Sequence, residues 1–102
     1  MYEKITELTK TVVAPLVDIV SSAGTAVQNA RPYISKKLTR DGFHLSYDLG
    51  RYIAGLTFLK ALCGLDIDRV NWCPDGVSKQ EMKIAIKAAN MAVKQPYGIC
   101  EL

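Results

Sequence analysis

The sequence predicts an α/β fold, and two observations carry that reading. A helical apolar period over Glu3 to Ala14 runs straight into a short β-branched stretch, Leu16 to Val20, and two further helix-patterned segments follow downstream. A helix passing directly into a strand is the pattern of helices layered on a parallel sheet.

The elements follow in order. Ile5, Leu8, Val12 and Val13 fall on one face of the first helix. Pro15 ends it, because proline disfavours helical backbone in the residue before it. Val17, Ile19 and Val20 then read as a buried strand, closed by the turn-forming Ser21-Ser22-Ala23-Gly24. Thr25 to His44 lacks a clear apolar period and reads as a long loop, a length that in compact domains signals function or disorder. Ser46 is placed to cap a strong helix, with Asp48 adding negative charge to its first turn. Leu49, Tyr52, Ile53, Leu56, Leu59, Leu62 and Cys63 keep helical spacing, and Gly64 fits the left-handed residue that ends such a helix. After the loop Leu65 to Val77, Ser78 and Glu81 form a capping box for a last helix. Met82, Ala85, Ile86, Ala89 and Val93 face its core, and Pro96-Tyr97-Gly98 stops it.

A single strand is a difficulty, because it leaves backbone donors and acceptors unpaired on both edges. Either further strands go unread, or another polypeptide supplies them, and the exposed edge then offers a route to self-association.

Composition narrows the function classes. At 102 residues the chain is one domain or part of one. A net charge of +3 is spread along the sequence, with Lys36, Lys37 and Arg40 the only small cluster. That is not the basic, aromatic-laced stripe of a nucleic-acid binder. No apolar run is long enough to span a bilayer, and Met1 to Lys4 does not begin a signal peptide, which leaves the localisation open. The three cysteines match no zinc spacing, so neither metal nor cofactor is expected. Cys63 reads as a small core residue, and Cys73 with Cys100 is compatible with a disulfide in an oxidising compartment. Phe43, Tyr47 and Tyr52 read as packing residues.

The most specific feature is Asp41-Gly42-Phe43-His44-Leu45-Ser46 just ahead of a helix. In a hydrolytic triad, histidine takes a proton from a serine hydroxyl and returns it to the leaving group, while aspartate fixes the imidazole tautomer. A two-residue spacer containing glycine lets both side chains turn to the same side. Alone, the four-residue pattern is weak. It is joined in order by Gly24-Thr25-Ala26-Val27-Gln28-Asn29-Ala30-Arg31 and by Leu49-Gly50-Arg51-Tyr52-Ile53-Ala54.

Together these blocks resemble the C-terminal part of the SGNH/GDSL-type hydrolase superfamily, in a branch often encoded by gut Bacteroidetes. The resemblance implies a flavodoxin-like three-layer α/β/α sandwich, with Val17 to Val20 as the last sheet strand. It also implies catalytic roles for Asp41 and His44, as orienter and general base. Gln28, Asn29 and Arg31 become candidates to line the substrate pocket, with bonding to local backbone the equal alternative. The superfamily's serine block and its glycine and asparagine oxyanion blocks have no counterpart in this sequence. The expectation is therefore a C-terminal segment of a serine ester hydrolase, acting in the parent protein on a small-molecule or carbohydrate ester and inactive alone. The alternative is a small α/β interaction module in which Asp41 and His44 are structural.

Overall fold

A computed structural model describes all 102 residues, and it is helical, without a sheet. Four α-helices form: α1 (Tyr2–Leu8), α2 (Ala23–Ala30), α3 (Leu49–Cys63) and α4 (Lys79–Lys94). Helices α2, α3 and α4 pack against one another in all three pairings. The three-layer α/β/α sandwich is therefore corrected to a bundle of three mutually packed helices with α1 at its margin.

The expected strand fails for a physical reason. Ala14–Leu16 forms a 3₁₀ turn around Pro15, and Val17 has extended dihedrals (φ −130°, ψ 159°) but no partner strand. A β-branched run becomes a strand only when a neighbour takes up its backbone hydrogen bonds, and the only β-bridge joins Thr39 to Leu45. Without the strand there is no strand edge for self-association; the exposed apolar side chains of this region are Leu16, Val17 and Ile19.

Helix α1 leads into a π-helical turn, Thr9–Val13, and then into the turn at Pro15. Thr9 and Thr11 donate hydroxyl bonds to the carbonyls of Ile5 and Glu7, four residues back, a habit that loosens the regular backbone ladder. Pro15 has no N–H to continue that ladder. Of the residues expected on one face of this helix, Ile5 and Leu8 lie in α1 while Val12 and Val13 lie in the π-helical turn, and all four stay exposed. The helix is tethered where the Tyr2 hydroxyl meets Thr25 Oγ1 at 2.8 Å.

Helix α2 falls where the sequence reads as a loop. Its inward positions are Ser22, Thr25, Ala26, Asn29 and Ala30, all buried. That is the i, i+3, i+4, i+7, i+8 spacing of a helix face, filled by polar and small residues instead of large apolar ones. The polar members bond to the second half of α4 and to the residues that follow it. Ser22 Oγ donates to Ala92 O at 2.7 Å, Thr25 Oγ1 to Pro96 O at 2.6 Å and Asn29 Nδ2 to Ala88 O at 3.4 Å. Asn29 Oδ1 accepts from Cys100 N at 2.7 Å, and no buried side-chain polar atom lacks a partner.

Helix α4 meets its neighbours through Ala85, Ala88, Ala89 and Ala92, each fully buried. Such small side chains let helix backbones approach closely, while Leu49, Ile53 and Leu56 of α3 supply the bulk of the apolar volume. The capping box forms as predicted, with Glu81 N to Ser78 Oγ at 3.1 Å and Ser78 N to Glu81 Oε1 at 2.9 Å. Gly64 ends α3 in the left-handed conformation (φ 66°). The cap of α3 shifts by two residues. Asp48 is the N-cap and accepts from Leu49 N at 2.6 Å, while Ser46 Oγ accepts from Gly50 N at 2.8 Å. All three cysteines are free thiols, and Cys63 is exposed on the outer side of α3 instead of packed in the core.

Candidate active site

The segment before α3 folds into a tight hairpin. Arg40 N donates to His44 O and Ser46 N to Leu38 O, both at 2.8 Å, on either side of the Thr39–Leu45 bridge. Gly42 turns the tip with φ 80°, a conformation that favours glycine. Its N–H reaches Thr39 Oγ1 at 3.2 Å. The chain direction at the tip is thus set by local bonds.

Asp41 is the centre of that tip. Its Oδ1 accepts from the backbone N–H of Phe43 at 2.9 Å and of His44 at 2.6 Å, and its Oδ2 lies 2.8 Å from His44 Nδ1. The hydrogen bond from the His44 ring, followed by those backbone N–H groups, holds the Asp41 carboxyl well below the usual carboxylate range. An ionised carboxylate can only accept, so Nδ1 carries the proton in this contact. In the neutral ring Nε2 is then the bare nitrogen, the one able to take a proton from a substrate or nucleophile. Both side chains are more than half exposed, so the arrangement depends on backbone bonds and not on burial.

The hairpin lies on α3 at Gly50. A Cβ there would collide with Leu38 O and come within 2.8 Å of Ser46 Oγ. Only a hydrogen side chain lets the hairpin base rest on the helix, which explains the glycine in the first turn. Behind the hairpin sits an ionic hub absent from the sequence reading. Lys36 Nζ reaches Gly76 O at 2.7 Å, Asp48 Oδ2 at 3.2 Å and Glu81 Oε1 at 3.4 Å. Desolvation works against the charged lysine, but Asp48 and Glu81 outweigh it and raise its pKa. The Leu49 backbone N–H, helped by Lys36, lowers that of Asp48. The hub ties the N-termini of α3 and α4 to the strand of chain that leads into the hairpin.

A groove of about 620 Å³ runs between α1, α2 and the hairpin. Its walls include Tyr2, Ile5, Gln28, Arg31, Phe43 and Tyr97. The volume lies in the range of small-molecule sites. Phe43 connects the groove to the pair, since its ring meets that of His44 edge to face with centroids 5.0 Å apart. The pocket candidates divide. Gln28 and Arg31 line the groove, whereas Asn29 is fully buried and bonds to backbone groups of Ala88 and Cys100.

Two aromatics depart from their expected packing role. Phe43 and Tyr47 are largely exposed, and only Tyr52 is buried, its hydroxyl donating to Trp72 O at 2.6 Å. The sequence marks the burial of Tyr52 through its helical spacing, but offers no period from which to place Phe43 and Tyr47. No three His, Cys, Asp or Glu side chains gather as metal ligands, and no helix is long and apolar enough to cross a membrane.

Comparison with known proteins gives a consistent picture of kinship. No curated protein matches the chain. Among solved structures, a DUF4886 family protein from Bacteroides uniformis is similar, at 32% sequence identity and a TM-score of 0.90. The match covers 99% of this chain and 40% of that one, so the chain spans well under half the length of its solved relative. Residues 1–92 match the domain of unknown function DUF4886, and the chain belongs to that family.

Proposed function

We propose that this chain carries the base-bearing C-terminal segment of an SGNH-type serine ester hydrolase, with the nucleophilic serine supplied from outside the 102 residues. The carrying observation is the contact of 2.8 Å between Asp41 Oδ2 and His44 Nδ1, on a hairpin that leaves the His44 ring exposed. In the proposed reaction Nε2 accepts the serine hydroxyl proton as the oxygen attacks the ester carbonyl, then passes it to the departing alkoxide. Asp41 keeps Nδ1 protonated, so the ring meets the serine in the useful tautomer. The groove walled by Gln28, Arg31 and Phe43 would receive part of the substrate, a small or carbohydrate ester such as an acetyl ester. The reading is helped by the length of the solved relative, of which this chain covers 40%.

The test is p-nitrophenyl acetate hydrolysis by the chain alone and after mixing with a polypeptide carrying the serine block. The chain alone should show only background hydrolysis. The mixture should be active, and His44→Ala should return it to background. Demonstrated association without activity would refute the proposal.

A second reading, an interaction module, is favoured by one observation. Ile5, Leu8, Val12, Leu16 and Ile19 are each at least half exposed along the N-terminal segment, the makings of an apolar surface that partners commonly cover. On that reading His44→Ala leaves partner binding unchanged, and no serine block is needed.

A further inference from the structure

At the foot of the hairpin that carries Asp41 and His44, two cations lie on one aromatic ring. The guanidinium carbon of Arg40 lies 4.3 Å from the centroid of the Tyr47 ring, and that of Arg51 lies 4.5 Å from it. Arg40 is fixed further by bonds from its Nε to Leu45 O at 3.0 Å and from its Nη1 to the Tyr47 hydroxyl at 2.7 Å. Neither arginine has a carboxylate partner. The ion pairs of the molecule are Lys36 with Asp48 and Glu81, His44 with Asp41, and Arg69 with Asp66. The two acids nearest in sequence, Asp41 and Asp48, are thus already engaged.

Stacking on Tyr47 favours this arrangement, but two effects work against it. Like charges repel, and Arg51 sits in the first turn of α3, where the helix dipole already presents its positive end. A guanidinium fork with N–H groups left over is the usual protein answer to a carboxylate or a phosphate. The place also matters. Arg40 belongs to the same hairpin as the pair, and its backbone N–H donates to His44 O.

We propose that Arg40 and Arg51, held on the ring of Tyr47, form a subsite for an anionic group of the ester substrate, a carboxylate or a phosphate, at the foot of the hairpin that carries the general base. The role in catalysis rests on the esterase reading above; the anion site itself does not. It is a specificity-determining site, since it favours charged esters over neutral ones.

The test is an NMR titration of the intact 102-residue chain at low ionic strength. The probes are the methyl glycoside of galacturonic acid with its carboxylate free, inorganic phosphate and the uncharged methyl galactoside. One or both anions should shift the Arg40, Tyr47 and Arg51 resonances saturably, and the neutral sugar should not. Arg51→Gln should weaken binding by about threefold, as expected for one exposed charge pair, and Arg40→Gln with Arg51→Gln should abolish saturation. Rising salt should weaken it too. Saturation by galacturonate alone assigns the subsite to carboxylated sugars, and by phosphate alone to phosphate groups. Equal shifts from the neutral sugar, anion shifts scattered over all lysines and arginines, or full binding by the double variant would each overturn the proposal. Should Arg40→Gln disturb the Thr39 and Leu45 signals of the hairpin, Arg51→Gln decides alone. The titration is repeated with His44→Ala, which should bind as the parent does, so failed ester hydrolysis and failed anion binding remain separate results.

Discussion

Replacing Gly50 by alanine tests whether close approach, and not helix propensity, chose this residue. Two effects compete. Within a helix, alanine is favoured over glycine by about 1 kcal/mol. Against this, the new Cβ overlaps Leu38 O and lies 2.8 Å from Ser46 Oγ and 3.3 Å from Leu45 Cβ. The hairpin base must lift away, and forced overpacking of this kind costs roughly 1–3 kcal/mol. Lifting it also strains two hydrogen bonds, Ser46 N to Leu38 O and Gly50 N to Ser46 Oγ, worth about 1 kcal/mol each when lost. The net expectation is destabilisation by about 1–3 kcal/mol, a fall in Tm of roughly 5–15 °C for a domain of this size. Gly55 is the control, because it lies in the same helix with nothing within 4 Å of its added Cβ. Gly55→Ala should raise Tm by a few degrees, roughly, through propensity alone. Thermal unfolding followed by circular dichroism reads both variants. A Gly50→Ala protein as stable as the Gly55→Ala protein would refute the close-approach argument, and unshifted His44 resonances would refute the claim that the hairpin rests there.

Three further outcomes follow from contacts elsewhere. Lys36→Met should lower stability by about 1–2 kcal/mol in urea unfolding at neutral pH, since it removes two partly exposed ion pairs and the bond to Gly76 O. Ala88→Leu should cost roughly 1–3 kcal/mol by the same measurement, because Ala88 is fully buried against neighbours with no room for a branched side chain. The Asp41 carboxyl should titrate by carbon-13 NMR well below free aspartate. Its folded-state pKa is depressed by the His44 ring and by the His44 and Phe43 N–H groups. The stabilisation it gives is thus complete above the ordinary carboxylate value and is lost progressively as pH falls from there through the depressed one.

Local signals in the sequence proved dependable where one turn of chain decides the outcome. The Ser78–Glu81 capping box, the left-handed Gly64 and the stop near Pro96 all depend on residues within a few positions of each other. So does the meeting of Asp41 and His44, which a glycine-containing spacer brings within bonding range. The misread elements depend on the rest of the molecule. Leu16 to Val20 has the residues of a strand but no partner, and strand propensity expresses packing against neighbours more than backbone preference. Helix α2 hides in the opposite way. Its buried face is Ser22, Thr25 and Asn29 among alanines, so a search for apolar period passes over a helix whose spacing is regular. Those polar residues are tolerated inside only because α4 and the C-terminal residues offer them acceptors and a donor. The Lys36 hub joins positions up to forty-five residues apart, and no local pattern foretells it.

The site itself shows how an exposed pair can be held in one geometry. Asp41 and His44 are both more than half in solvent, so burial does not fix their rotamers. Their order comes instead from the loop. One carboxylate takes three N–H donors, the glycine at φ 80° permits the turn, and Gly50 lets the hairpin sit directly on α3. An Asp41→Asn side chain could still accept from Phe43 N and His44 N, so the turn should survive the change. Its amide nitrogen, however, can donate to Nδ1, which favours the ring with its proton on Nε2. Nitrogen-15 spectra of His44 distinguish the two tautomers. The parent protein should show Nδ1 protonated at neutral ring charge, and Asp41→Asn should shift the population toward Nε2 while the Thr39 and Leu45 signals stay in place. An unchanged tautomer in the variant would mean that the carboxylate serves the turn alone, and that the ring is not set up to act as a base.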